Sequence, residues 1–192
     1  MRVLRATFWC CLMAMASSSA GAQSTGQPKA SSHSVPPVYQ KWLDEDVRWI
    51  ITPEERAQFT RLSSDEDRDA FIVEFWLRRD PTPDTEENEF KEEHYRRIAY
   101  SNDHFAARTV GSLTDRGRIY ICYGPPDAIT DKLRTSGVES PTEIWHYEDF
   151  SPYAGVIGHL EGKQPRKLNR VDLTFVDECK CGEYRLQTPE SK

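Results

Sequence analysis

The fold of this chain is indicated most clearly by one apolar run, in which seven of eight residues are apolar: Ala70-Phe71-Ile72-Val73-Glu74-Phe75-Trp76-Leu77. Ser64 and the three acidic residues after it form a typical N-terminal signature of an α-helix. The pattern predicts a helix over residues 65–79 that Pro81 ends. Since apolar residues surround this helix almost completely, we expect it to be the central helix of the domain.

Further helices are predicted on both sides of this one. Residues 39–49 carry tryptophan, leucine and valine among acids, and Thr52-Pro53-Glu54-Glu55 is a capping box that should start a helix reaching residue 61. Asp84, with a glutamate three residues later, predicts the N-terminus of a helix that extends to about residue 100. The first half of the chain is therefore expected to be helical.

The second half changes to short runs typical of β-strands. No helical pattern separates them, and the last two are joined by a six-residue hairpin turn, which favours an antiparallel sheet. A polar, basic insertion over residues 155–170 interrupts the series. The predicted strands cover residues 118–123, 143–147, 171–176 and 183–186. The predicted fold class is α+β, with N-terminal helices packed on a C-terminal antiparallel sheet of about four strands.

The N-terminus has the composition of a secretory signal peptide over residues 1–22. Arg2 and Arg5 precede a short uncharged run, and Ala20-Gly21-Ala22 matches the small-residue pattern of a cleavage site. The pattern predicts cleavage after Ala22 and a secreted or periplasmic location. The alternative is that the segment is retained as an N-terminal anchor, for which its apolar run is short.

Composition and charge describe the remainder of the chain. Residues 23–37 are polar and predict a flexible linker, which leaves a single domain over residues 38–192. The net charge is −6, and it becomes −8 when the two arginines of the signal segment are removed. An acidic domain lacks the basic footprint of a nucleic-acid binder. We therefore expect no nucleic-acid partner, and no stable membrane span after cleavage.

Cleavage would leave three cysteines, Cys122, Cys179 and Cys181. Outside the cytoplasm thiols tend to pair, and a bond between Cys179 and Cys181 would close a very small ring. We therefore predict a disulfide between Cys122 and either Cys179 or Cys181. A zinc site is the alternative, but it lacks a clear fourth ligand and the usual cysteine spacing, so no metal is predicted.

No familiar catalytic motif occurs in the sequence. The chain has neither a G-x-S-x-G nucleophile motif nor a phosphate-binding P-loop. His94 shares a helical stripe with Phe90 and Ile98, which favours a buried core histidine over a metal ligand. His146 lies on a predicted strand, where a hydrogen bond to a neighbouring element explains it.

Two segments combine arginine with aspartate. The first segment, Arg79-Asp80-Pro81, lies at the end of the apolar helix, where the negative end of the helix dipole favours arginine side chains. The alternative is that its guanidinium group clamps a carboxylate or phosphate. Thr114-Asp115-Arg116-Gly117-Arg118 predicts a turn before the first strand. We expect its arginines to join a buried network with acids such as Asp80 or Asp127, which would lock the helices to the sheet.

Several motifs together resemble the GWxTD domain family, a group of secreted bacterial proteins named for a Gly-Trp-x-Thr-Asp motif. They include Phe75-Trp76-Leu77-Arg78-Arg79-Asp80-Pro81, Gly111-Ser112-Leu113-Thr114-Asp115-Arg116-Gly117, and Tyr123-Gly124-Pro125-Pro126-Asp127. The resemblance covers residues 39–187, and Ser112 stands where the family has its tryptophan. It implies an extracytoplasmic location, with no assigned activity and no cofactor. The candidate family-signature or interaction residues are Arg79, Asp80, Asn88, Glu89, Thr114, Asp115, Arg116, Arg118 and Asp127.

Three classes of function are compatible with these observations. The first is a protein-interaction or structural module of the cell envelope, whose partner is an unknown envelope protein. The second is an envelope hydrolase acting on glycan or peptide, with Glu89 and Asp115 as paired carboxylates. The third is a ligand-binding module in which Trp145, Tyr147 and Tyr153 are aromatic platforms near the basic insertion.

Overall fold

A computed structural model describes residues 34–132, 140–150 and 168–187, which belong to one compact unit, His33–Lys192. The helices are α1 (Pro37–Lys41), continued by a π-helical turn (Trp42–Asp46), α2 (Pro53–Arg61), α3 (Asp65–Leu77), α4 (Glu89–Phe105), a 3-10 turn (Gly111–Leu113) and α5 (Asp115–Tyr123). The strands are β1 (Ala128–Lys132), β2 (Thr142–Phe150), β3 (Leu168–Val176) and β4 (Arg185–Leu186). The predicted α+β class is confirmed.

The helix starts follow their capping chemistry. Thr52 accepts a hydrogen bond from the Glu55 amide at 3.1 Å, and the Glu55 carboxylate accepts one from the Thr52 amide at 3.0 Å, so the predicted capping box is present. Ser64 caps α3 as expected. The predicted cap at Asp84 is wrong, because Asn88 caps α4 by accepting from the Lys91 amide at 2.8 Å. Asn88 also donates to the Trp76 carbonyl at 2.8 Å, which anchors this start to the end of α3.

The strand predicted over residues 118–123 is wrong, because these residues form most of α5. A short apolar run is compatible with either a buried strand or a buried helix. Thr114 decides between them locally, because its side chain accepts from the Gly117 amide at 3.0 Å and starts a helix. The packing of α5 against α4 then stabilises the helical form.

The sheet is an antiparallel meander with strand order β1-β2-β3-β4. Trp145 on β2 is opposite Ile129 on β1 and Leu173 on β3. The strands predicted over residues 143–147 and 171–176 are confirmed within β2 and β3, and the one predicted over residues 183–186 is confirmed only for Arg185–Leu186. Strand β1 was not predicted, because its residues are all exposed and carry no alternating apolar pattern.

The apolar side chains form two buried clusters, and α4 contributes to both. One cluster lies among the N-terminal helices and consists of Tyr39, Trp42, Leu43, Val47, Ile50, Phe59, Phe75, Trp76 and Phe90. The other joins helices to the sheet and consists of Phe105, Ile119, Trp145, Tyr147 and Phe175. The expectation that α3 is central is wrong, since Val73 and Leu77 on its outer face are 57% and 52% exposed. The helix that spans both clusters is α4, through Phe90 and Phe105.

Candidate functional site: the helix–sheet junction

The segment over residues 111–118, which we call the signature turn, lies in direct backbone contact with α4. A Cβ atom on Gly111 would be 1.9 Å from the Ser101 carbonyl oxygen, and one on Gly117 would be 2.0 Å from the Gly111 carbonyl oxygen. These separations are far below any van der Waals contact. Both positions therefore require glycine, and Ser101, fully buried, marks the point of closest approach.

Hydrogen bonds hold the signature turn from two sides. The Thr114 hydroxyl donates to the Gly111 carbonyl at 2.7 Å while it caps α5. The Ser112 amide donates to the Asn102 side chain on α4 at 2.8 Å. The Ser112 carbonyl accepts from the Trp49 indole at 2.8 Å, so the segment after α1 is tied to the same turn.

Asp115 connects the signature turn to the sheet. Its carboxylate accepts a hydrogen bond at 2.9 Å from the amide of Leu186 on β4, the last strand of the sheet. Its other oxygen is 3.7 Å from the Arg118 guanidinium, one turn along α5. Asp115 thus connects the start of α5 to strand β4.

Arg116 is buried between α5 and the sheet. It donates to the Glu143 carboxylate on β2 at 2.9 Å and to the Gly182 carbonyl at 3.3 Å, and its guanidinium lies 4.1 Å from the centre of the Tyr184 ring. The predicted network that locks helices to sheet therefore exists. Its acids are different from those expected: Glu143 pairs with Arg116 and Asp115 with Arg118, rather than Asp80 or Asp127.

Asp127 orders the opposite edge of the sheet. Its carboxylate accepts from the Glu148 amide at 2.7 Å, and its own amide donates to the His146 carbonyl at 2.9 Å. His146 bridges the neighbouring strands, with Nδ1 at 2.8 Å from Asp172 and Nε2 at 2.9 Å from Thr130. The expected hydrogen bond between elements at His146 is confirmed.

Arg79 is fully buried and forms the centre of a separate ion pair. Its guanidinium is 2.8 Å from Glu55 Oε2, and it also donates to the carbonyls of Phe75 and Ile50 at 3.0 and 3.1 Å. Burial would raise the pKa of Glu55, but hydrogen bonds from Arg79 and from the Thr52 amide outweigh it and lower that pKa. The guanidinium thus binds the capping box of α2 rather than an external ligand.

The remaining signature residues lie near the start of α4. Asp80 accepts from the Thr82 amide at 2.9 Å, and Glu89 accepts from the Thr82 hydroxyl, which lowers the pKa of that exposed glutamate.

Glu89 and Asp115 are not brought together: Ser101, against which the signature turn packs, is twelve residues beyond Glu89 on α4. At about 1.5 Å per residue this is roughly 18 Å, whereas paired glycosidase carboxylates are about 5–10 Å apart.

The cysteines pair differently from the prediction. Cys179 and Cys181 are bonded to each other, and Cys122 is a free thiol on α5. The turn after β3 brings the two Cα atoms to 5.2 Å, while Cys122 points to the Trp49 carbonyl at 3.8 Å. Burial raises the pKa of Cys122 to about 11, so its thiol is protonated and unreactive at neutral pH.

One group of metal-ligand side chains occurs within the described residues. Asp177, Cys179 and Cys181 have potential ligand atoms within 4.8 Å of one another. Because the two sulfurs are bonded to each other, they are not thiolates and cannot bind a metal in this state. The group is therefore better considered as a disulfide beside a buried carboxylate.

His94 and the proposed aromatic platforms belong to the cores. His94 Nε2 lies 2.7 Å from the Asp46 carbonyl, and burial lowers the pKa of the imidazole to about 4, which confirms the core histidine. Trp145 and Tyr147 are buried in the helix–sheet cluster and offer no open platform. Tyr153 and most of the basic insertion lie outside the described residues.

A feature that the sequence analysis missed is an apolar stripe on the outside of α3. Ala70, Val73 and Leu77 are exposed at helical spacing, on the face opposite the buried Phe75. Exposed acids flank the stripe, namely Asp67, Asp69 and Glu74. The only signal for it was the all-round apolar pattern of the helix, since one helix face suffices to cover the core.

The elements described above define an α+β domain whose signature segment forms a tight junction between helices and sheet. The chain belongs to the GWxTD domain family, whose model matches residues 17–156. No curated protein and no solved structure is significantly similar to it. Among the helices of the described residues, none has the length and apolar character needed to cross a membrane.

Proposed function

We propose that this protein is a secreted or periplasmic module that acts in the cell envelope by binding another protein. The observation that carries the proposal is the acid-flanked apolar stripe on α3. The location is supported by the signal-type sequence over residues 1–22 and by the disulfide, a bond typical of oxidising compartments.

The signature residues support this proposal because their side chains already bind other parts of the same chain. Thr114, Asp115 and Arg116 bind the backbone or side chains of α5, β2 and β4, and Arg79 binds Glu55. Side chains used in this way stabilise the junction and are not available to a substrate. A partner is therefore expected to contact a different part of the surface.

The α3 stripe has the chemistry of such a contact. Val73 and Leu77 lie one turn apart, and exposed apolar residues at this spacing are typical of helices that pack against an apolar groove or a second helix. By charge complementarity, the flanking acids favour a partner whose contact surface is bordered by basic side chains. The partner is thus an envelope protein with an apolar contact surface bordered by lysine or arginine.

Site-specific photo-crosslinking tests this proposal. A photoreactive amino acid is placed at position 73 and, as a matched control, at position 129, because Ile129 on β1 is equally exposed at 51%. The full chain is crosslinked in its native envelope, and the crosslinked peptide is sequenced by mass spectrometry. We expect one protein to be captured from position 73 and not from position 129, through an apolar segment flanked by basic residues.

Two results would contradict the proposal. Capture of the same proteins from positions 73 and 129 would show non-specific contact. Crosslinks only to a second copy of this chain would assign the stripe to self-association rather than to an envelope partner.

A further inference from the structure

The turn between β3 and β4 carries a disulfide that encloses a single residue. Cys179 is exposed, Cys181 is half-buried, and Lys180 between them has a left-handed backbone with φ of 55°. In the chain-entropy model, the stability gained from a disulfide increases with the length of the loop it closes. A ring across one residue therefore contributes less to stability than almost any other placement.

The turn is also held without the sulfur–sulfur bond. The Asp177 carboxylate accepts from the amides of Cys181 at 3.1 Å and Gly182 at 2.8 Å, and the Asp177 carbonyl accepts from the Lys180 amide at 3.2 Å. These hydrogen bonds keep the two cysteines on the same short turn. The pair is thus positioned to open and close with little change in the surrounding backbone.

A buried carboxylate lies directly beside the exposed sulfur. Asp177 is 3% exposed, and its Oδ1 is 3.2 Å from the Cys179 Sγ. In the disulfide this sulfur carries no hydrogen. After reduction, the Cys179 thiol would find a hydrogen-bond acceptor already in place, and a carboxylate at this distance can accept the thiol proton.

We propose that Cys179 and Cys181 form a thiol–disulfide exchange site that oxidises dithiols of other proteins. A substrate thiolate attacks the Cys179 sulfur, the Cys179–Cys181 bond breaks, and its electron pair leaves on the Cys181 sulfur. The second substrate thiol loses its proton, attacks the substrate sulfur of this mixed disulfide, and displaces Cys179 as a thiolate. The substrate loses two electrons and two protons, and the two cysteines gain them as thiols.

Reoxidation uses a small-molecule disulfide as the oxidant. The Cys179 thiol transfers its proton to Asp177 as its sulfur attacks the oxidant, which releases one small thiol. Cys181 then attacks Cys179 in the mixed disulfide, restores the Cys179–Cys181 bond and releases the second small thiol. Asp177 contacts the reacting sulfur throughout and is the catalytic base of this direction.

A cleft of about 440 Å³ lies beside the pair. It is lined by Lys180, which is exposed between the two cysteines, by Lys132 and Tyr184, and by the acids Asp131 and Glu143. Because the two lysines are balanced by two acids, the cleft offers a substrate chain space next to Lys180 rather than a net charge.

A peptide assay tests the exchange directly. The oxidised full-length protein is mixed with a synthetic peptide that contains two cysteines, quenched with acid, alkylated and digested with trypsin. Trypsin cleaves after Lys180, so Cys179 and Cys181 appear as one linked pair when oxidised and as two separate alkylated peptides when reduced. We expect one peptide disulfide to form for each protein pair reduced, and the Cys122→Ser variant to behave as the wild type.

Two variants test the role of Asp177 in reoxidation by oxidised glutathione. Asp177→Asn should slow this step by roughly tenfold or more, since it removes the base. Glu178→Gln removes the same charge from an exposed neighbour and should leave the rate unchanged. Equal rates in the two variants would overturn the role of Asp177.

The exchange proposal itself is overturned in two ways that need no variant. If the cysteine pair stays linked under excess dithiol peptide, the bond is inert and the proposal fails. A large fall in the melting temperature of the wild-type chain on reduction would identify the bond as structural.

Discussion

Among the single residues, His94 shows how burial controls the charge of a side chain. Burial lowers the pKa of its imidazole to about 4, while an unfolded histidine has its ordinary value of 6.5. Between these two pH values the unfolded chain binds a proton that the folded protein does not. The contribution of His94 to stability is therefore present above pH 6.5 and is lost as the pH falls toward 4.

The first prediction concerns this pH window. Between pH 7 and pH 4 the free energy of unfolding should fall by about 3 kcal/mol through His94. His94→Gln should remove this part of the pH dependence, as measured by denaturant unfolding at both pH values. His104→Gln, an exposed histidine on the same helix, is the control and should retain the wild-type slope. An unchanged slope in His94→Gln would refute the explanation.

The second prediction concerns the buried pair of Arg79 and Glu55. Glu55→Gln leaves the Arg79 guanidinium without its carboxylate partner, and water cannot replace that partner because Arg79 is fully buried. Removing one partner of a buried ion pair costs about 3–5 kcal/mol, which urea unfolding will measure. Glu54→Gln changes an exposed neighbour and should cost almost nothing. Equal stability of the two variants would show that the pair contributes little.

Among the elements, the 3-10 turn packs closely against both α4 and α5 through backbone contacts at two glycines, Gly111 and Gly117. Helix propensity alone predicts that Gly117→Ala stabilises α5 by about 1 kcal/mol. The structure predicts the opposite sign, because the added Cβ would be 2.0 Å from the Gly111 carbonyl oxygen.

The third prediction follows from this contact. Gly117→Ala should reduce the free energy of unfolding by at least about 2 kcal/mol, as measured by chemical denaturation. Asp103→Ala, at an exposed position of α4, is the control for an alanine in a helix and should be nearly neutral. A Gly117→Ala variant as stable as the wild type would mean that α5 can move away from the 3-10 turn without loss of stability.

The elements also show which parts of the fold local chemistry determines. The starts of α2 and α3 were predictable because Thr52 and Ser64 act within their own first turns. Helix α5 was not, because residues 118–123 suit a strand locally, and the Thr114 cap together with the packing against α4 favours the helix. Strand β1 was missed because its residues pair with β2 without burying a face of their own.

At the scale of the whole molecule, the candidate site was predictable in its residues but not in its contacts. Asp115 and Arg116 stood out in the sequence, yet Leu186 is 71 residues away from Asp115 and Glu143 is 27 residues away from Arg116. Such distant partners depend on how the folded chain places the strands of the sheet next to α5. The α3 stripe was hidden for a related reason, since the sequence of an all-round apolar helix does not show which face the core covers.

We expect the signature residues to stabilise the junction and α3 to bind the partner. Asp115→Ala removes the acceptor of the Leu186 amide and should lower the free energy of unfolding by about 1–3 kcal/mol. The double variant Val73→Lys/Leu77→Lys changes exposed positions and should melt like the wild type. Ile129→Lys is the matched surface control.

The most direct measurement combines the melting temperature of each variant with its retention of the crosslinked envelope partner at a temperature where all variants are folded. We predict that Asp115→Ala melts lower but retains the partner, while Val73→Lys/Leu77→Lys melts normally and loses it. Ile129→Lys should be unchanged in both respects. An Asp115→Ala variant that melts like the wild type and loses the partner would contradict this interpretation, because the signature would then be the interface.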